Sequence, residues 1–176
     1  MGKEKIFKRH ETRKDLAGEH KLGDLGQIIF LAIFLVVWIT DSFFVKYSTQ
    51  FSEYAPLYLR IPLAILILII AGYLAKKGLT AVFAEVREKP IVIRDGVFSV
   101  VRHPIYLGSI LFYLSLLTAF CSTVAVFIWV VIILFYIFLC KHEEKLLIEK
   151  FGNDYEQYKL ETPMLLPRLI RRKNNV

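Results

Sequence analysis

The stretch SVVRHPIYLGSILFYLSLL, from Ser99 to Leu117, decides the fold because a charged pair and a proline open a long apolar run. An apolar run of this length indicates a helix that lies in a membrane or in a buried core. Pro104 fits the first turn of a helix, where its missing N–H group is not needed. We therefore predict that a helix begins near Pro104, with Arg102 and His103 at its mouth.

Three further apolar runs accompany this one. Together the four runs are Leu25–Phe44, Leu57–Ala75, Ile105–Phe120 and Thr123–Cys140. Each approaches the roughly 20 residues with which a helix crosses a hydrocarbon core of about 30 Å. The chain has 176 residues, of which 56% are hydrophobic, which is too apolar for an ordinary soluble domain. We predict an all-α integral membrane protein with about four transmembrane helices.

The basic residues lie almost entirely on one side of this arrangement. Seven Lys and Arg residues precede the first helix, six lie between helices two and three, and eight follow helix four. Only Lys46 and Arg60 fall on the other side. The positive-inside rule then places both termini in the cytoplasm, as in a multi-pass protein of the cell inner membrane. Because topology accounts for the net charge of +7, no nucleic-acid partner is expected.

The connections on the predicted cytoplasmic side carry further signals. Asp95-Gly96 stands between β-prone residues, which predicts a small hairpin or extended pair before helix three. Helix four should continue to Lys150 and end at Phe151-Gly152, with a further short helix in NDYEQYKL. The tail beyond it is too apolar to be a disordered segment, so we expect it to fold back against the membrane surface or the cytoplasmic ends of the helices.

Two charged clusters should meet at this side. Arg102 and His103 open helix three, and Glu143 and Glu144 close helix four, while a very short turn joins the two helices at the other end. With Tyr106 one turn into helix three, the site can bind a zwitterionic, partly cationic ligand. Taken alone, Arg102 and His103 fit an interfacial anchor equally well, and Glu143 or Glu144 alone fits a solvated helix face better than a site. The sequence shows no metal-ligand spacing, and no metal is expected.

A resemblance to a known family favours the first interpretation. DGVFSVVRHPIYLG, a helical hairpin and then EEKLLIEKFGNDYEQYKLETPMLLP resemble the isoprenylcysteine carboxyl methyltransferase family and its prokaryotic relatives. The phospholipid N-methyltransferases belong to the same wider group. The resemblance covers Pro90 to Pro167 and implies S-adenosylmethionine as cofactor. It also implies a lipophilic or membrane-associated acceptor that enters from the bilayer, with membrane lipids as the other partners.

The same resemblance implies site residues. The cofactor site would be lined by Ile91, Val92, Ile93, Phe98, His103, Pro104, Ile105, Tyr106 and Glu143. The candidate catalytic residues are Arg102, His103, Glu143 and Glu144. The family usually has tyrosine at the position of Phe98, and the prenylcysteine enzymes have arginine at the position of Leu139. The second departure argues against prenylcysteine carboxyl methylation. No residue of the first two helices identifies the acceptor, so a thiol, a carboxylate, an amine and a lipid headgroup all remain open.

Two alternatives remain beside methyl transfer. The membrane reductases related to sterol reductases have a similar carboxy-terminal half and bind NADPH, but they are longer and usually lack the proline after the histidine. A non-catalytic membrane scaffold would use both charged clusters only as anchors. The predicted organisation is a cytoplasmic polar arm (1–24), two N-terminal transmembrane helices (25–75), and a methyltransferase-like region with two more helices and a C-terminal cap (76–176).

Overall fold

The computed structural model describes residues 21–46, 49, 55–83 and 90–168 of the chain. Its elements are α1 (Lys21–Ile39) with a π-helical continuation (Thr40–Val45), α2 (Leu57–Phe83), a 3-10 turn (Gly96–Ser99), α3 (Pro104–Phe120), α4 (Thr123–Phe151) and α5 (Asn153–Glu161). The described residues contain no β-strand. The predicted all-α class is therefore confirmed, whereas most of the predicted arm (1–20) lies outside the described residues.

All four predicted apolar helices are present. Three of them, over Gly23–Val45, Leu57–Phe83 and Thr123–Phe151, are long and apolar enough to cross a membrane. The 17 residues of α3 are also apolar but rise only about 25 Å at the usual 1.5 Å per residue. Large apolar side chains such as Phe44, Phe127 and Phe138 are exposed on the outer faces of these helices, as lipid-facing positions require. The chain is an all-α membrane protein.

The start of α3 is the one predicted. His103 is the N-cap residue and Pro104 occupies the first helical turn. At the other end, Cys121 adopts a left-handed conformation with φ 55°, and the Ser122 hydroxyl accepts a hydrogen bond of 3.2 Å from the Ala125 N–H group. This cap starts α4 immediately, so α3 and α4 form the predicted tight antiparallel hairpin.

The second helix is longer than its apolar run. It continues eight residues beyond Ala75 to Phe83 and packs along α3. The two backbones approach closely at Gly108, where an added Cβ would lie 2.9 Å from the Ala71 carbonyl oxygen. A Cβ added at Gly78 would lie 2.6 Å from Cγ1 of Ile105. These small residues let α2 pack closely against the first turns of α3. The local sequence did not indicate this contact.

The predicted β-hairpin at Asp95-Gly96 is wrong. Gly96 has a φ of 62°, as a turn requires, but the chain then enters the 3-10 turn instead of a second strand. The flanking residues bind the C-terminal helix rather than each other. Arg94 forms an ion pair with Asp154, and the Tyr158 hydroxyl donates a hydrogen bond of 2.6 Å to the Phe98 carbonyl. Arg94 and Phe98 therefore make tertiary contacts with the C-terminal helix instead of pairing across a hairpin.

Candidate functional site

The C-terminal segment folds back onto the mouth of α3, as predicted. The backbone N–H groups of Arg102 and His103 donate to the carbonyls of Pro163 and Met164 at 2.9 and 3.1 Å. In α5, Tyr155 and Tyr158 are buried. Burial raises the pKa of both hydroxyls above the usual range, so they stay neutral. The tail is a fixed wall of the site.

Arg102 joins this tail to α4. Its Nε and Nη2 groups donate to Glu144 Oε1 at 2.8 and 2.6 Å, and its Nη1 group donates to the Lys159 and Thr162 carbonyls. The side chains of Arg102 and Glu144 are only 9% and 7% exposed. Because these contacts use most of the five guanidinium N–H donors, Arg102 ties together three parts of the chain.

His103 lies between the two predicted carboxylates. Its Nδ1 atom is 3.5 Å from Glu143 Oε2, and its Nε2 atom is 3.4 Å from Glu144 Oε1. The Tyr106 ring stacks on the imidazole with a centroid distance of 5.8 Å, and its hydroxyl donates to Glu143. Lys159 Nζ lies 3.2 Å from Glu144 Oε2. The structure thus brings together all the charged groups that the sequence placed at this edge.

These contacts decide the protonation of the histidine. Burial by itself lowers the pKa of His103, but hydrogen bonds with Cys140, Glu143 and Glu144 outweigh burial and raise the pKa well above its usual value. His103 is therefore an imidazolium at neutral pH. The flanking carboxylates balance its charge and that of Arg102.

The raised pKa predicts how stability responds to pH. The imidazolium stabilises the fold fully below the unfolded pKa of about 6.5, and this contribution is lost as pH rises through the higher folded pKa. We expect the difference in unfolding free energy between the wild type and His103→Gln to be largest at acidic pH and to shrink above neutrality. Denaturant titrations of both proteins in detergent measure it; a difference that grows with pH would contradict the assignment.

A cavity of about 400 Å³ opens in front of this cluster. All nine residues predicted to hold the cofactor line it: Ile91, Val92, Ile93, Phe98, His103, Pro104, Ile105, Tyr106 and Glu143. Arg102 also contributes to the wall, whereas Glu144 contacts His103 from behind and is not among the lining residues. The predicted site residues are gathered in one place, and their roles stay predictions.

The other walls of this cavity include residues that sequence reasoning missed, together with Leu139 and the tail, which the resemblance and the apolar tail pattern had already indicated. They come from α1 (Gly23, Asp24, Gln27), α2 (Leu79, Val82, Phe83), α4 (Leu139, His142, Leu147, Phe151) and α5 (Tyr155, Tyr158). The apolar content of the tail was a usable signal for α5. The first helix carries no local pattern that indicates a site, and only its packing against α4 brings it there.

A comparison with protein-family models decides the family. The model described as Phospholipid methyltransferase matches residues 59–154, which is more than half of the chain. The chain belongs to the phospholipid methyltransferase family. The match contains both charged clusters, Arg102-His103 and Glu143-Glu144, and leaves α1 and most of the C-terminal wall outside. No curated protein matches this membrane methyltransferase.

Proposed function

We propose that this membrane methyltransferase uses S-adenosylmethionine to methylate a lipophilic or membrane-associated acceptor. The observation that carries the proposal is the 400 Å³ cavity at the membrane-edge mouth of α3 and α4, where Glu143, His103 and Tyr106 meet. Its size is that of an ordinary small-ligand site. Family membership supports methyl transfer over the NADPH-dependent reductase and the non-catalytic scaffold.

The residues of the cavity fit this cofactor. Glu143 and Asp24 place carboxylates in the wall, which suit a cationic ligand with an ammonium group and ribose hydroxyls. Ile91, Ile93 and Leu147 supply apolar surface for an aromatic base. When bound, the cofactor would supply a methyl group on a positively charged sulfur, and that sulfur becomes a neutral thioether once an acceptor takes the methyl.

The protein then mainly has to position the cofactor against the acceptor and to exclude water from the site. Tyr106 holds Glu143 by its hydroxyl, and His103 lies between the two carboxylates, so the position of the Glu143 carboxylate is fixed before a ligand arrives. The tail covers the cavity with Tyr155 and Tyr158. A preformed site of this kind binds a cationic ligand without first rearranging.

The acceptor class is narrowed by one residue. Leu139 lines the cavity with an apolar side chain where the prenylcysteine enzymes have arginine. Arg102 does not replace that arginine, because its donors are directed at Glu144 and the tail. Prenylcysteine carboxylates are therefore disfavoured as acceptors.

The distribution of Lys and Arg supports an orientation in the inner membrane with both termini in the cytoplasm.

Calorimetric titration of the detergent-purified protein with S-adenosylhomocysteine, beside NADPH, tests the proposal. We expect saturable binding of S-adenosylhomocysteine and none of NADPH. Glu143→Gln should weaken binding about 10- to 100-fold, since a hydrogen bond to a charged group contributes about 1.5–3 kcal/mol.

Glu149→Gln is the matched control, because Glu149 is exposed on the same helix and does not line the cavity. Its affinity should equal that of the wild type. Binding of NADPH by the folded protein would move the assignment to the reductases, and binding of neither ligand would favour the scaffold.

A further inference from the structure

The charged cluster around His103 carries more positive than negative charge. Its members in the described part of the chain are two carboxylates and three cationic groups: Glu143, Glu144, Arg102, His103 and Lys159. Arg102 and His103 are buried, whereas the Lys159 side chain is 34% exposed and is partly screened by water. A ligand with a positively charged sulfur therefore meets positive charge that the Glu143 carboxylate does not offset alone.

His103 is the cation of this cluster that can lose its charge when such a ligand binds. It lines the cavity of about 400 Å³, and a like charge within about 4–6 Å disfavours the charged form of a titratable group. Arg102 also lines the cavity, but a guanidinium does not lose its proton in proteins. Lys159 is not among the lining residues. A cation in the cavity therefore acts first on the imidazolium.

The contacts of His103 allow its proton to leave. The ring nitrogens lie 3.5 Å from Glu143 Oε2 and 3.4 Å from Glu144 Oε1, whereas a tight hydrogen bond between charged groups measures about 2.7–2.9 Å. A neutral imidazole keeps one N–H donor. Glu143 also accepts a hydrogen bond from the Tyr106 hydroxyl. Glu144 also accepts two from Arg102. Loss of the proton therefore leaves neither carboxylate without a donor.

The proton also has a path to water. His103 is only 7% exposed, but the neighbouring Glu143 side chain is 24% exposed and lines the cavity. The Glu143 carboxylate can thus take the proton from Nδ1 and pass it to water. The other titratable groups that face the ring, its partners or the cavity are Asp24, Cys140, His142, Tyr155, Tyr158 and Lys159.

We propose that His103 gives up its proton when a cationic methyl donor occupies the cavity and keeps it when the neutral product is bound there. This inference rests on the proposed function and makes His103 the residue that distinguishes donor from product. The neutral imidazole leaves the Glu143 carboxylate to face the positive sulfur. Once the sulfur has become a neutral thioether, His103 takes a proton back from water.

The affinity for the donor should then rise with pH. In the free protein, burial lowers the pKa of His103, but hydrogen bonds with Cys140, Glu143 and Glu144 outweigh burial and raise the pKa well above its usual value. A bound cation lowers this pKa. Between the two pKa values, donor binding releases one proton, so the dissociation constant of the donor falls about tenfold per unit rise in pH. That of the product stays constant over the same window.

Calorimetry of the full-length protein in detergent tests the inference. S-adenosylmethionine and S-adenosylhomocysteine are each titrated at neutral pH in phosphate and in Tris, whose ionisation enthalpies differ. The change in observed heat between the buffers gives the number of protons released. We expect about one proton for S-adenosylmethionine and none for S-adenosylhomocysteine. The ratio of their dissociation constants should fall about tenfold when the pH is raised by about one unit.

Three variants identify the source of the proton. His103→Gln keeps an N–H donor but does not titrate, so the two ligands should release equal numbers of protons. Glu149→Gln is the control, because Glu149 is exposed on α4 and does not line the cavity. His142→Gln removes another histidine of the cavity wall. The difference of about one proton should persist in the last two variants.

Equal proton release by the two ligands in the wild type would overturn the inference, and this comparison needs no variant to fold. A difference that persists in His103→Gln, or that disappears in His142→Gln, would also overturn it, because the proton would then come from another group. Absence of binding of both ligands to the folded protein would instead overturn the proposed function, and this inference with it.

Discussion

Replacing Glu144 with glutamine should lower the free energy of unfolding by about 3–5 kcal/mol, the cost of removing one partner from a buried ion pair. Glu144 is the carboxylate that Arg102, His103 and Lys159 share. With the negative charge removed, the buried guanidinium and imidazolium face each other without compensation. Desolvation of both cations then opposes folding.

Denaturant unfolding in one detergent, followed by tryptophan fluorescence, measures this change. Glu149→Gln removes the same charge from an exposed position of α4 and should stay within about 0.5 kcal/mol of the wild type. Equal stability of Glu144→Gln and Glu149→Gln would show that the buried cluster does not hold the fold.

Arg102→Lys should release the C-terminal wall while the rest of the protein stays folded. Lysine keeps the positive charge but cannot make the fork of hydrogen bonds to Glu144 and to the Lys159 and Thr162 carbonyls. Losing two such bonds at about 1.5 kcal/mol each predicts amide exchange in Asn153–Glu161 that is faster by about 100-fold.

Hydrogen exchange with mass spectrometry compares peptides from α5 with peptides from α3, which should not change. Lys145→Arg serves as a control for substitution of a cation, because Lys145 is exposed on α4. S-adenosylhomocysteine should bind more weakly to Arg102→Lys, since Tyr155 and Tyr158 form part of the cavity wall. Unchanged exchange in α5 would mean that the tail is held by other contacts.

Sequence patterns predicted most of what depends on local chemistry. The apolar runs located four helices, Pro104 located the start of α3, and the short turn at Ser122 placed both charged clusters at one end of a hairpin. Those signals lie within one turn or one helix of the residues that they describe. The expected closeness of Glu144 to Arg102 and His103 followed only from the predicted hairpin of α3 and α4.

What sequence could not supply depends on contacts between distant parts of the chain. The direction of the Arg102 side chain was undetermined, because its partners lie 42 to 60 residues away. The hairpin at Asp95-Gly96 failed for the same reason, since Arg94 and Phe98 found partners in α5. The contribution of α1 to the cavity in front of His103 has no local signal, because it results from helix packing.

The return of the tail to α3 has a consequence for biosynthesis. The chain leaves the ribosome amino end first, so α1 to α4 emerge from it before α5 does. Until Tyr155, Tyr158 and Pro163 emerge, the cavity in front of His103 lacks one wall, and Arg102 lacks the carbonyls that hold it. The cavity can therefore close only after the tail has left the ribosome.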